Sequence, residues 1–94
     1  MLYLVIAKDA LDAEAPHRRQ RVRPAHLADL TPLAEDGTVK LAGAILTDDG
    51  AAIGSALLVE ADSESTVRSL LEGDVYSREG VWSTFEVYPF KQAF

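Results

Sequence analysis

The chain has 94 residues, no cysteine, and nine basic against fifteen acidic side chains, for a formal net charge of −6. Without cysteine there is neither a disulfide framework nor a thiolate metal site, and the acidic balance disfavours nucleic acid, whose binding rests on neutralising phosphates. The length fits one domain over residues 1–94, which buries roughly 60–65% of the surface its unfolded chain exposes and has little material for both a core and an enclosed cavity.

The opening "MLYLVIA" is apolar and β-branched, so it reads as a buried strand. It lacks the basic region of a leader, and no run approaches the ~20 apolar residues that span a bilayer. A soluble cytoplasmic protein with no membrane partner is the expectation. Residues 13–35 then read as helical, with Pro24 and Pro32 interrupting the pattern. Each proline removes a backbone donor and biases the preceding residue away from helix, which predicts a kinked helix or two helices meeting near Pro24. Gly37 ends the segment. Its basic cluster "HRRQRVR", 17–23, is either a solvated face or an attraction for a small anion.

Two strands follow at about 38–46 and 52–61, joined by the turn residues "TDDG" with Gly50 supplying positive φ. Gly54 inside the second marks a bulge or a close approach of another backbone. "ADSESTVRSLLEGD" reads as a helix capped by Asp62 or Ser63, with Val67, Leu70 and Leu71 on its apolar face and Gly73 at its close. "DVYSREG" is a connector with room for one helical turn. "VWSTFEVYPF" alternates as a last strand that Pro89 limits or confines to an edge.

The order β-α-β-β-α-β is the split, ferredoxin-like arrangement of an α+β fold: one antiparallel sheet with its helices on one face. The middle strands are apolar on both alternating sets, from Leu41 to Leu46 and from Ile53 to Val59. One helical layer covers only one face, which points to a homodimer through the other.

Among candidate chemical groups, Arg19, Arg23, His26, Leu30 and Leu33 fall at offsets 0, 4, 7, 11 and 14 and share one stripe if the helix continues through Pro24. The stripe passes from cationic to apolar with an imidazole at the boundary. His26 is there either a half-buried histidine bonded to a backbone carbonyl or a group that a ligand reaches. Asp74 follows a helix end, where it caps the next turn or orients an imidazole. His17 and His26 have no recognised metal-ligand spacing. Asp48 and Asp49 fit a polar turn better than a cation site. No serine stands in a nucleophile motif, and no glycine pattern cradles a nucleotide phosphate.

These residues carry a resemblance. "RPAHL" at 23–27, "LAGAILTDDG" at 41–50, "IGSALLVEA" at 53–61, "DVYSREGVW" at 74–82 and "VYPF" at 87–90 resemble, in that order and spacing, the YCII-related family of small bacterial proteins. The resemblance covers nearly the whole chain. It implies a fold of the dimeric α+β barrel kind and a His–Asp pair as active site, here His26 and Asp74. It also implies kinship with small enzymes of aromatic catabolism, an isomerase and a dehydrochlorinase among them. Val75 departs from the family, which usually has proline after the aspartate, and this puts the orientation of Asp74 in question; Tyr76 is retained.

The expectation is therefore an enzyme without metal or organic cofactor. His26 is general acid/base, Asp74 its orienting carboxylate, and Arg19, Arg23 and Tyr76 bind a small anionic or phenolic substrate. Proton transfer next to a carbonyl, isomerisation or elimination all fit. The rival is a non-catalytic module that binds or senses a small acid.

Overall fold

Four strands and three helices follow one another along the chain, which a computed structural model describes over residues 1–94: β1 (Leu2–Asp9), α1 (Ala15–Glu35), β2 (Val39–Leu46), β3 (Ala52–Glu60), α2 (Glu64–Gly73), α3 (Val75–Arg78) and β4 (Trp82–Phe90). The strands form one sheet in the order β2-β3-β1-β4, with every neighbouring pair antiparallel. This is the ferredoxin-like α+β arrangement, with the short α3 added between α2 and β4. No helix is long and apolar enough to cross a membrane.

Side chains along a strand point alternately to its two faces, and the register decides which rows meet. Tyr3, Val5 and Ala7 of β1 stand opposite Val59, Leu57 and Ser55 of β3, and all six are buried. Val22 and Leu30 of α1, Val67 and Leu71 of α2, Val39 and Val87 of the outer strands, and Tyr76, Val81 and Trp82 complete this core. The alternate row is different. Leu2, Leu4 and Ile6 are only half-buried, while Leu41, Tyr88 and Phe90 are exposed. No helix covers that face.

Of the two arrangements expected at Pro24, separate helices do not occur: α1 is one helix of 21 residues with both prolines inside it. Its buried stripe is Ala15, Arg19, Val22, His26 and Leu30. At about 100° per residue, Pro24 lies on the opposite side of the helix from that stripe. The carbonyl it leaves unbonded therefore faces solvent, where water can satisfy it. Pro89 lies within β4, which pairs only with β1 and is an edge strand.

Two glycines behave as their neighbours require. Gly50 takes φ +91° in the β2–β3 turn. Gly54 is where β3 meets the backbone of β1: a Cβ there would sit 2.4 Å from the Ala7 carbonyl oxygen.

Candidate active site

His26 emerges from the middle of α1, one turn from Val22 and one from Leu30, and packing of those two residues turns the imidazole inward. Only 7% of it remains exposed. Asp74 arrives from the other side of the fold. It ends α2 in an extended conformation and caps α3, its Oδ1 accepting the Tyr76 N–H at 2.8 Å. The same oxygen lies 2.8 Å from His26 Nδ1. A carboxylate only accepts hydrogen bonds, so Nδ1 carries the proton and Nε2 keeps the lone pair of the neutral ring. His26 Nε2 has no partner within the chain.

The freed backbone at Val75 is not loose. Its N–H donates to Asp29 Oδ2 at 3.2 Å, and Arg78 holds the same carboxylate at 3.6 Å. The junction that aims Asp74 is thus tied to α1 where the family's proline would offer no donor.

Tyr76 is fully buried. Its ring stacks on the His26 imidazole with centroids 3.7 Å apart and planes 3° from parallel. Trp82 meets both rings edge-on at 5.4 Å. The Tyr76 hydroxyl makes no hydrogen bond, alone among fully buried side-chain polar atoms. Burial is the main cause that raises its pKa above the usual tyrosine value, while the nearby Arg19 and Arg23 charges work against it. At neutral pH the phenol therefore keeps its proton and acts as a donor.

The two arginines differ. Arg19 is buried and its charge is met by Asp9, with Nε 2.7 Å from Oδ2. Its Nη2 donates to the Gly54 carbonyl and to Ser55 Oγ, both at 2.7 Å, and its Cζ lies 5.0 Å from the Tyr76 ring centre. Only Nη1 is without a partner in the chain. Arg23 is exposed and makes no ion pair.

A cavity of about 100 Å³ brings His26, Tyr76, Arg19 and Arg23 together between α1 and the strands β2 and β3. Leu27, Leu30 and Leu57 give it apolar wall, Gly43 and the small side chains of Ala42 and Ala44 its floor, and Ser55 a hydroxyl. Asp74 does not line it; it stands behind the imidazole. All five residues singled out in the sequence thus belong to one cluster, with Asp74 outside the cavity wall and Arg23 on its open side. No three His, Asp or Glu side chains gather closely enough to hold a metal ion.

Three buried polar residues of the cluster escaped the sequence reading: Asp9, Ser55 and Trp82 with its indole N–H. For Asp9 a signal existed. It continues the buried row Tyr3, Val5, Ala7 at period two, which places a carboxylate on the core face and demands a cation there.

The YCII-related domain profile matches residues 1–91. The chain is 36% identical over 100 residues to protein YciI of Escherichia coli O6:H1, with all of both chains covered. It is 31% identical to fusaric acid biosynthesis protein 2 of Gibberella fujikuroi, covering 95% of this chain and 91% of that one. Among solved structures, the 5-chloro-2-hydroxyhydroquinone dehydrochlorinase TftG of Burkholderia phenoliruptrix, in complex with 2,5-dihydroxybenzoquinone, superposes with a TM-score of 0.83. It is 32% identical, and the match covers 99% of this chain and 96% of TftG.

Proposed function

The chain belongs to the YCII-related family, and from that premise we propose that it is a small-molecule enzyme in which His26 and Asp74 perform acid–base chemistry. One observation carries the reading: the 2.8 Å contact between Asp74 Oδ1 and His26 Nδ1 leaves Nε2 as the free nitrogen of a residue that lines the cavity. Asp74 fixes the tautomer and steadies the imidazolium that forms. Arg23 attracts a small anionic or phenolic substrate, and the Tyr76 hydroxyl donates to one of its oxygens.

A lyase-type elimination fits this set, and the substrate named for TftG provides a concrete case. His26 Nε2 takes a phenolic proton and returns it to the carbon that bears chlorine. A second hydroxyl then loses its proton as its oxygen becomes a carbonyl and chloride departs. The sum is loss of one proton and one chloride, with no external oxidant or reductant. Isomerisation of an enolisable substrate uses the first half of the same cycle.

The assembly in this reading is a homodimer. Its support is the uncovered sheet face, where Leu2, Leu4, Ile6, Leu41, Tyr88 and Phe90 form an apolar surface with Lys8 and Glu86 paired at its rim.

The direct test is chloride release from 5-chloro-2-hydroxyhydroquinone, extended to lactone and enolisable substrates. Acid–base help is worth about 10²–10⁴-fold, and His26→Ala should lose a factor in that range, with Asp74→Asn also impaired. An unchanged rate in His26→Ala sinks the reading. A wild-type protein that binds such molecules yet turns over none of them makes it the non-catalytic acid-binding module, a role that unpaired Arg23 also serves.

A further inference from the structure

Ser55 Oγ lies 2.7 Å from Arg19 Nη2 and 3.1 Å from Trp82 Nε1. Neither nitrogen has a choice of role. A guanidinium in a protein stays protonated and only donates, and an indole N–H only donates. The hydroxyl oxygen has two lone pairs, and both are taken. Its own hydrogen must then be given away, and no acceptor within the chain receives it. The side chain is 5% exposed and lines the cavity beside His26 and Tyr76.

The cavity therefore holds an unequal inventory. Donors without partners are the Ser55 O–H, the Tyr76 O–H, Arg19 Nη1 and Arg23. The imidazole of His26, through Nε2, is the one side-chain group placed to accept. A buried polar group without a partner is costly, so the set is built for something that supplies acceptors. We infer that Ser55 is a specificity-determining donor of this cavity, oriented by Arg19 and Trp82, and that the ligand presents it with an ionised or carbonyl oxygen while offering one proton to His26. Arg19 is then a positioning residue: Asp9 neutralises it and pins its guanidinium, and its contact with Ser55 fixes where the hydroxyl hydrogen goes. In the elimination or isomerisation above, the oxygen that Ser55 serves is the one on which negative charge grows, the place where a fixed donor contributes most.

This inference rests on the proposed chemistry only for the identity of the growing charge, and binding measurements separate the two. The probes are 2,5-dihydroxybenzoquinone, which has carbonyl and readily ionised oxygens, and hydroquinone, a ring of the same size whose oxygens stay protonated. The wild type should prefer the first. Ser55→Ala should reduce that preference roughly ten- to a hundred-fold, as expected for a hydrogen bond to a charged group. Ser55→Cys fills nearly the same space with a weak donor and should behave likewise, which guards against loss of folding in the alanine variant. A merely structural role for Ser55 would weaken both probes together and leave their ratio alone. An unchanged ratio in either folded variant overturns the inference, and so does failure of the wild type to bind the hydroxyquinone at millimolar concentration. His26→Ala distinguishes the other failure: if it still releases chloride, the acid–base reading falls while the Ser55 result stands.

Discussion

Tyr76 carries a hydroxyl that a fully buried side chain leaves without a hydrogen bond. A core selected for stability alone would have phenylalanine at this position. Tyr76→Phe should therefore leave the protein as stable as before or raise its stability by about 1 kcal/mol in urea unfolding at neutral pH. The same variant should bind 2,5-dihydroxybenzoquinone more weakly. The pH dependence has a definite sign. Burial raises the folded pKa above the ordinary value, so the unfolded tyrosine ionises first, near pH 10. Tyr76 contributes no pH dependence below about pH 10, and stability then falls as pH rises toward the folded pKa. Tyr76→Phe should flatten that alkaline fall. A variant that loses stability at neutral pH and keeps its affinity would make the hydroxyl a structural group. At this scale the sequence was legible for His26, whose place on the stripe follows from helical spacing. It was not legible for Ser55, because nothing in "IGSALL" shows that a guanidinium from α1 and an indole from β4 converge on its oxygen.

Between elements, the decisive contact joins residues 48 positions apart, His26 on α1 and Asp74 between α2 and α3. No local periodicity encodes such a meeting; the family resemblance supplied the aspartate, and the physics of capping explains why it is held. Asp74 caps α3 with the same oxygen that faces the imidazole. Positioning the carboxylate against the imidazole and starting the helix are thus one requirement. The residue after it is the first of α3, a position where proline is favoured because the missing N–H costs no helical bond. Here Val75 donates that N–H to Asp29 instead. Val75→Pro should trade this one exposed bond for a stiffer chain. Its stability should stay within about 1 kcal/mol of wild type, and the His26 ring signals in NMR should keep their wild-type shifts. A large loss of stability, or a displaced imidazole signal, would show that Asp29 and not the cap aims Asp74. The α1 prolines teach the converse lesson. Local chemistry allowed one kinked helix or two separate ones, and packing of a stripe on the far side from Pro24 favours the single helix.

Across the whole molecule, the order of strands and helices was readable because each element shows its period and is bounded by turn residues. What periodicity also revealed is an imbalance. The sheet has two apolar rows, and α1, α2 and α3 lie over only one of them. None of the seven elements lies over the other row. Leu41 on β2 is 55% exposed and Tyr88 on β4 is 47% exposed, yet they occupy opposite edges of the same uncovered face. A second copy meeting this face about a two-fold axis would present its own β2 and β4 edges to them, so the same patch serves both partners. The closest charges, Lys8 and Glu86, already neutralise each other and would remain at the rim. Sedimentation at micromolar concentration should accordingly give about twice the 10.2 kDa chain mass. The double variant Leu41→Lys, Tyr88→Lys puts like charges from both copies into the contact and should sediment as the single chain. It should keep its fold, because both side chains are exposed in the monomer and outside the core cluster. A wild type that sediments at the single-chain mass removes the dimer, and the exposed face would then need another explanation. If the double variant is monomeric but still binds the hydroxyquinone as wild type does, the cavity is complete within one chain. That outcome is the expected one, since His26, Asp74, Tyr76 and Ser55 all meet within a single copy.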